Sequence, residues 1–153
     1  MRGVYEATIR VSALAAQKTL LYITAPSSKV VEILSASVTN ESNVTNQQLE
    51  TTFQLIGTLG TPTGTTLTPS KLEQGDQASG STVVGNITAS EPTYTANTEV
   101  GREGWASLAG YRYQPVPEER LYIAPSASWG LRMLNTTPTA FDCDVRVVYR
   151  EIG

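Results

Sequence analysis

Asp142 and Asp144 are the two residues of this 153-residue chain whose type and spacing come nearest to a catalytic pair. Two positions apart on one strand face, their carboxyl groups would stand about 7 Å from each other, a separation that a glycosidase can use. Arg146 and Arg150 continue the same face, so the row also reads as a charge ladder, solvated or paired across a subunit boundary, and that reading is preferred. Other chemistries fall away by elimination. The chain has no histidine, which removes Ser-His-Asp and Cys-His nucleophiles and the commonest zinc ligand. No glycine-rich loop ends in Gly-Lys-Ser/Thr and no GxGxxG opens a helix, so nucleotide binding has no motif to rest on. Cys143 is the single cysteine; it excludes an internal disulfide framework and a multi-cysteine zinc site, and reads as a small buried apolar residue. The run EQGDQASG, Glu73 to Gly80, offers only two carboxylates without the alternating acids of a calcium loop, and reads as a Gly-Asp turn. No enzyme, cofactor or metal is expected.

The elements that must position these residues are strands. Tyr5, Ala7, Ile9 and Val11 alternate with Glu6, Thr8 and Arg10; Leu49, Thr51, Phe53 and Leu55 alternate with Glu50, Thr52 and Gln54. Near the end Phe141, Cys143, Val145, Val147 and Tyr149 share one face while Asp142, Asp144, Arg146 and Arg150 share the other. This is the two-residue period of half-buried strands, no helical stripe is sustained, and abundant threonine favours the same structure. The reading is a single all-β domain over residues 1–153, an antiparallel β-sandwich.

One phrase occurs twice: LLYITAPSSKVVEIL and, about a hundred residues later, RLYIAPSASWGLRML. In each, a strand runs into Ala-Pro-Ser, where proline sets φ and cannot donate to a ladder, and a second strand follows. The pair is expected to form similar hairpins at equivalent places in a sandwich. Between them, residues 57–110 are rich in Gly, Thr, Ser and Pro with short apolar runs such as Thr82 to Ile87. That is too long for an ordinary connection, so short strands within a surface excursion are expected.

Length and charge set the remaining bounds. A chain of this size buries roughly two thirds of the surface its unfolded form exposes, enough for one core. Its net charge of -3 offers no basic field for a polyphosphate backbone, so nucleic acid is not an expected partner. The apolar runs are far shorter than the roughly 20 residues that cross a bilayer, and MRGVYEATIRV lacks the apolar stretch of a signal peptide; no membrane association is expected. Four Asn-x-Ser/Thr triplets, at Asn40, Asn43, Asn86 and Asn135, read as chance in so threonine-rich a chain.

The strongest candidate surface is WASLAGYRYQPVPEER, residues 105–120. Trp105, Tyr111 and Tyr113 bring large areas with polar tips, Arg112 a planar donor, and Pro115 and Pro117 a stiff exit, the composition of interface anchors. Tyr111 and Tyr113 also stand at strand spacing and fit a core face, and sugar stacking is a further use. Together LTPSKLEQGDQAS, GNITASEPT, LYIAPSASWGLRML and VRVVYREIG, mainly within residues 64–153, resemble a group of small tailed-phage structural proteins. The resemblance implies a β-sandwich or jelly-roll subunit that decorates and cements the head. It also implies the major capsid protein as partner, a homo-oligomer with a trimer favoured, and a place on the virion head surface after synthesis in host cytoplasm. The alternative is a carbohydrate- or receptor-binding module of a phage tail or fibre or of a bacterial surface.

Overall fold

A computed structural model describes residues 3–42 and 45–153; Asn43, one of the four sequon asparagines, lies outside the described residues. In chain order the strands are β1 (Val4–Leu14), β2 (Lys18–Thr24), β3 (Val30–Asn40), β4 (Gln48–Thr58), β5 (Thr63–Leu67), β6 (Ser70–Lys71), β7 (Thr82–Ala89), β8 (Thr93–Tyr94), β9 (Val100–Ala106), β10 (Tyr111–Tyr113), β11 (Tyr122–Ile123), β12 (Ser128–Met133) and β13 (Phe141–Ile152), with one 3-10 turn at Pro117–Glu119. They form two antiparallel sheets packed as a sandwich. The first runs β10-β3-β13-β1-β6, with β11 also on β3; the second runs β5-β7-β2-β12-β4-β8, with β9 also on β4. Among the described residues no helix is long and apolar enough to cross a membrane.

The alternation places the core. Phe141, Cys143, Val145, Val147 and Tyr149 of β13 all point inward and are buried, facing Leu21, Ile23, Phe53, Leu131 and Met133 of the second sheet. On β3 the inward set switches from Val31 and Ile33 to Ala36 and Val38. The extra residue is Leu34: Tyr149 pairs with Ile33 and Val148 with Ser35, a bulge that changes the face. Burial also pushes the Cys143 thiol up to about 12, so it stays protonated at neutral pH and is a packing residue.

The repeated phrase has a different geometry from the one expected. Neither copy is a hairpin within one sheet. Pro26 and Pro125 each stand at a corner where the chain crosses between sheets, from β2 to β3 in the first copy and from β11 to β12 in the second. The corners lie antiparallel against each other: β11 pairs with β3 and β12 with β2. Ala25 N–H donates to Ala127 O at 3.0 Å, Ser126 N–H to Pro26 O at 3.3 Å, and the Thr24 and Ser128 hydroxyls meet at 2.7 Å. Similar residues recur because two copies of the same bend must fit side by side, each supplying the acceptors that the other's N–H groups need.

Residues 57–110 are built into both sheets. β5 and β7 extend the second sheet beyond β2, β6 adds to β1, and β9 lies along β4. Leu59 and Tyr94 also pack with Tyr22, Ile56, Val84 and Ile87 in a second cluster on the far side of the second sheet. There Tyr94 Oη meets Thr19 Oγ1 at 2.6 Å and its ring lies under the Arg132 guanidinium at 4.2 Å. Gly130 makes room for it, since a β-carbon there would overlap Tyr94 Oη. The Glu73–Asp76 turn forms as read, closed by Asp76 N–H on Glu73 O at 3.1 Å, with Asp76 Oδ2 accepting Gly3 N–H at 3.0 Å.

Candidate functional site

Asp142 and Asp144 stand in an ion ladder on the outer face of the first sheet. Arg10 bridges Asp142 and Glu41, both at 2.8 Å, and Asp142 also accepts Ala13 N–H at 2.8 Å. That backbone bond, and then Arg10, hold Asp142 below the usual carboxylate range, while the hydrogen bond that the Glu41 carboxyl can donate to Asp144 raises Glu41. Arg146 pairs with Glu6 at 2.7 Å, and Arg150 turns to Glu32 at 2.8 Å. Asp142 is held by Arg10 and Ala13, and Asp144 by Glu41. Among the described residues no group of three His, Cys, Asp or Glu side chains is placed to hold a metal.

The six residues singled out between positions 105 and 120 divide by face. Trp105 is buried, donates from Nε1 to Thr51 Oγ1 at 2.9 Å, and meets the Phe141 ring edge-on. Tyr111 is fully buried and its hydroxyl donates to Gly101 O at 2.8 Å. Tyr113 is buried edge-on against Phe53; its hydroxyl donates to Glu119 O and accepts Leu121 N–H, both at 3.2 Å. These aromatics therefore fasten β9, β10 and the following turn to the core and to one another. Gly101, with φ +64°, is wedged against the Tyr113 ring, where a side chain would collide. Pro117 is exposed and opens the 3-10 turn, where its missing N–H is harmless; Pro115 is half-buried beside it.

With Tyr111 and Tyr113 turned inward, Arg112 and Gln114 point out. Arg112 makes no ion pair or side-chain hydrogen bond with any described residue. It separates two hollows. One, about 420 Å³, lies between Gly101–Glu103 of β9 and Arg112–Pro115, with Glu119 at its rim. The other, about 140 Å³, lies over β3 between Arg112 and Arg146. Among the described residues β9 pairs with β4 alone and β10 with β3 alone, so two sheet edges end at this site. Leu108, 67% exposed in the β9–β10 turn, and Val116, 55% exposed after β10, flank Arg112 along the chain.

Leu108, Gln114 and Val116 were not marked by composition, which favours aromatics. The signal that could have found them is period: once the tyrosines are core residues, the residues between and beyond them face solvent. The chain matches no family model, no curated protein and no solved structure.

Proposed function

We propose that this protein is a non-enzymatic structural protein of a phage particle, a decoration or cement subunit that binds the outside of the head through the β9–β10 edge. The observation that carries the reading is the edge itself. Two strand edges, an Arg112 without an ion pair among the described residues, and the exposed Leu108 and Val116 lie along one stretch, whereas Arg10 and Arg146 on the neighbouring sheet face are paired with Asp142 and Glu6. Open edges invite pairing with another chain, and exposed apolar residues beside an arginine are the makings of a docking centre. We read the order β1-β13-β3-β10 facing β2-β12-β4-β9 as a jelly roll, with β5 to β8 as an insertion. That architecture recurs in viral capsid proteins and also in lectins, so it supports the proposal only together with the sequence resemblance.

The test is attachment to heads lacking the protein, measured by co-sedimentation with purified capsids. Arg112→Ala and Leu108→Asp are expected to lower attachment about thirtyfold, a hot-spot loss of about 2 kcal/mol, without changing the melting temperature of the free protein. Normal attachment by both variants would place the contact elsewhere. Binding to a glycan array with none to capsids would replace the particle reading by the carbohydrate one.

A homo-oligomer, as a trimer, is part of the same proposal, because ring closure shelters edges such as β5, whose Thr63–Leu67 carries no charge to blunt it. Light scattering on the purified protein is expected to give three times the 16.4 kDa subunit mass. A monomer at high concentration would remove self-association from the reading.

A further inference from the structure

The hollow over β3 has a chemistry that the larger one lacks. Arg112 and Arg146 are both registered against Ser37, one from each neighbouring strand, so their backbones stand roughly 10 Å apart across it. Ser35, Ser37 and Thr39 offer hydroxyls between them, and Gln114 an amide at the rim. None of these three hydroxyls has a side-chain hydrogen bond to a described residue. No acid lines this hollow. Glu6 matches Arg146 from the far side at 2.7 Å, and no described residue is ion-paired with Arg112. The larger hollow, in contrast, sets Glu103 and Glu119 against Arg102 and Arg112 and has no net sign.

We infer that this hollow is an oxyanion site and that its occupant is the carboxylate of an acidic side chain on a protein partner. An unpaired guanidinium offers the planar fork that carboxylates accept in bidentate fashion, and the serine and threonine hydroxyls supply donors for the remaining lone pairs. Size points the same way. A space of about 140 Å³ holds roughly four or five waters, which is the tip of a glutamate and less than a sugar residue with its substituents. Trp105, Tyr111 and Tyr113, the aromatics nearest Arg112 along the chain, are in the core and offer no stacking face there. Exposed Leu108 and Val116 near Arg112 suit a protein surface instead. The choice of a protein occupant rests on the docking reading above; the anion chemistry does not.

The experiment is a two-dimensional ¹H–¹⁵N NMR titration of the free protein at constant ionic strength. The probes are a blocked Gly-Glu-Gly tripeptide, its Gly-Gln-Gly counterpart, methyl glucuronide and sodium chloride. The glutamate peptide is expected to give saturable shifts confined to Ser35, Ser37, Thr39 and the Arg112 side chain, and the glutamine peptide none. Arg112→Gln is expected to weaken binding about tenfold while melting with the parent, and Arg112→Lys to recover only part, because an ammonium lacks the fork. Equal shifts with chloride, or an Arg112→Gln variant that titrates like the parent, would overturn the site. Saturation by glucuronide but not by the glutamate peptide would overturn the occupant. A clean titration beside failed capsid attachment would remove the particle and keep the site.

Discussion

Trp105→Ala is expected to lower the free energy of unfolding by about 3–5 kcal/mol, the range for deleting a large buried aromatic. The substitution empties the space beside Phe141 and leaves the buried Thr51 hydroxyl without its Nε1 donor. It also loosens β9, whose register on β4 pairs Trp105 with Leu49. Denaturant unfolding of this variant beside Arg112→Ala checks the expectation, since Arg112 is exposed and unpaired and its loss should stay within about 0.5 kcal/mol. The contrast matters for the docking site. A binding defect in Trp105→Ala follows from unfolding, whereas one in Arg112→Ala reports the surface. Equal stability of the two variants would mean that Trp105 is not the core residue described above.

The second large effect is expected at the acidic end of the pH scale. Glu151 is a carboxylate with a 1% exposed side chain. Oε1 accepts from Ser79 Oγ at 2.6 Å, Ser81 N–H at 2.9 Å and Ser81 Oγ at 2.8 Å, and Oε2 pairs with Lys29 at 2.9 Å. Burial pushes its pKa up, and the bonds from Ser79, Lys29 and Ser81 together push it further down, so the net displacement is downward. Glu32 behaves alike: burial raises it, and Arg120, Arg150 and Tyr122 lower it by more. A carboxyl whose folded pKa lies below its unfolded value adds stability that is fully present above the unfolded value, about 4.3. That contribution is lost as pH falls through the folded value. The melting temperature is therefore expected to hold near neutrality and to fall steadily below about pH 5. Glu151→Ala should cost about 3 kcal/mol at pH 7, because it strands a lysine and two serines. It should also flatten the acid limb; an unchanged limb in the Glu151→Ala, Glu32→Gln double variant would refute the assignment.

Much of the architecture was legible because alternation is a local code. The inward set of β13, from Phe141 to Tyr149, and the buried thiol of Cys143 could be read from a period of two. What was not legible depended on partners far along the chain. Leu34 gives no sign that it is the bulge that changes the face of β3. The two Ala-Pro-Ser copies show a bend, but only their mutual hydrogen bonds show that the bend crosses between sheets. Residues 57–110 read as an excursion because Gly and Thr carry little apolar signal, yet β7 lies beside β2 with Val83 and Val84 buried. At the candidate site, composition pointed at the aromatic residues of 105–120, whereas strand geometry turns those inward and exposes the residues between them. Arg112 alone satisfies both.

The positions of β12 and β13 govern how the molecule can be made. β12 lies between β2 and β4, and β13 between β1 and β3, so the last two strands fill a middle slot in each sheet. A chain emerging from the ribosome carries two sheets with a gap in each until those strands arrive. β1, β2, β3 and β4 then present four unsatisfied borders to the cell. Nearly all pairing is between segments distant in sequence, so ordering must await long-range closure and is expected on the slow, millisecond-to-second scale of β-sandwiches. Once inserted, each strand is clasped from both sides, and neither can leave without opening two ladders at once. The same arrangement that delays assembly thus acts as a latch afterwards, giving the finished protein a persistence set by the rate of unfolding more than by its equilibrium stability.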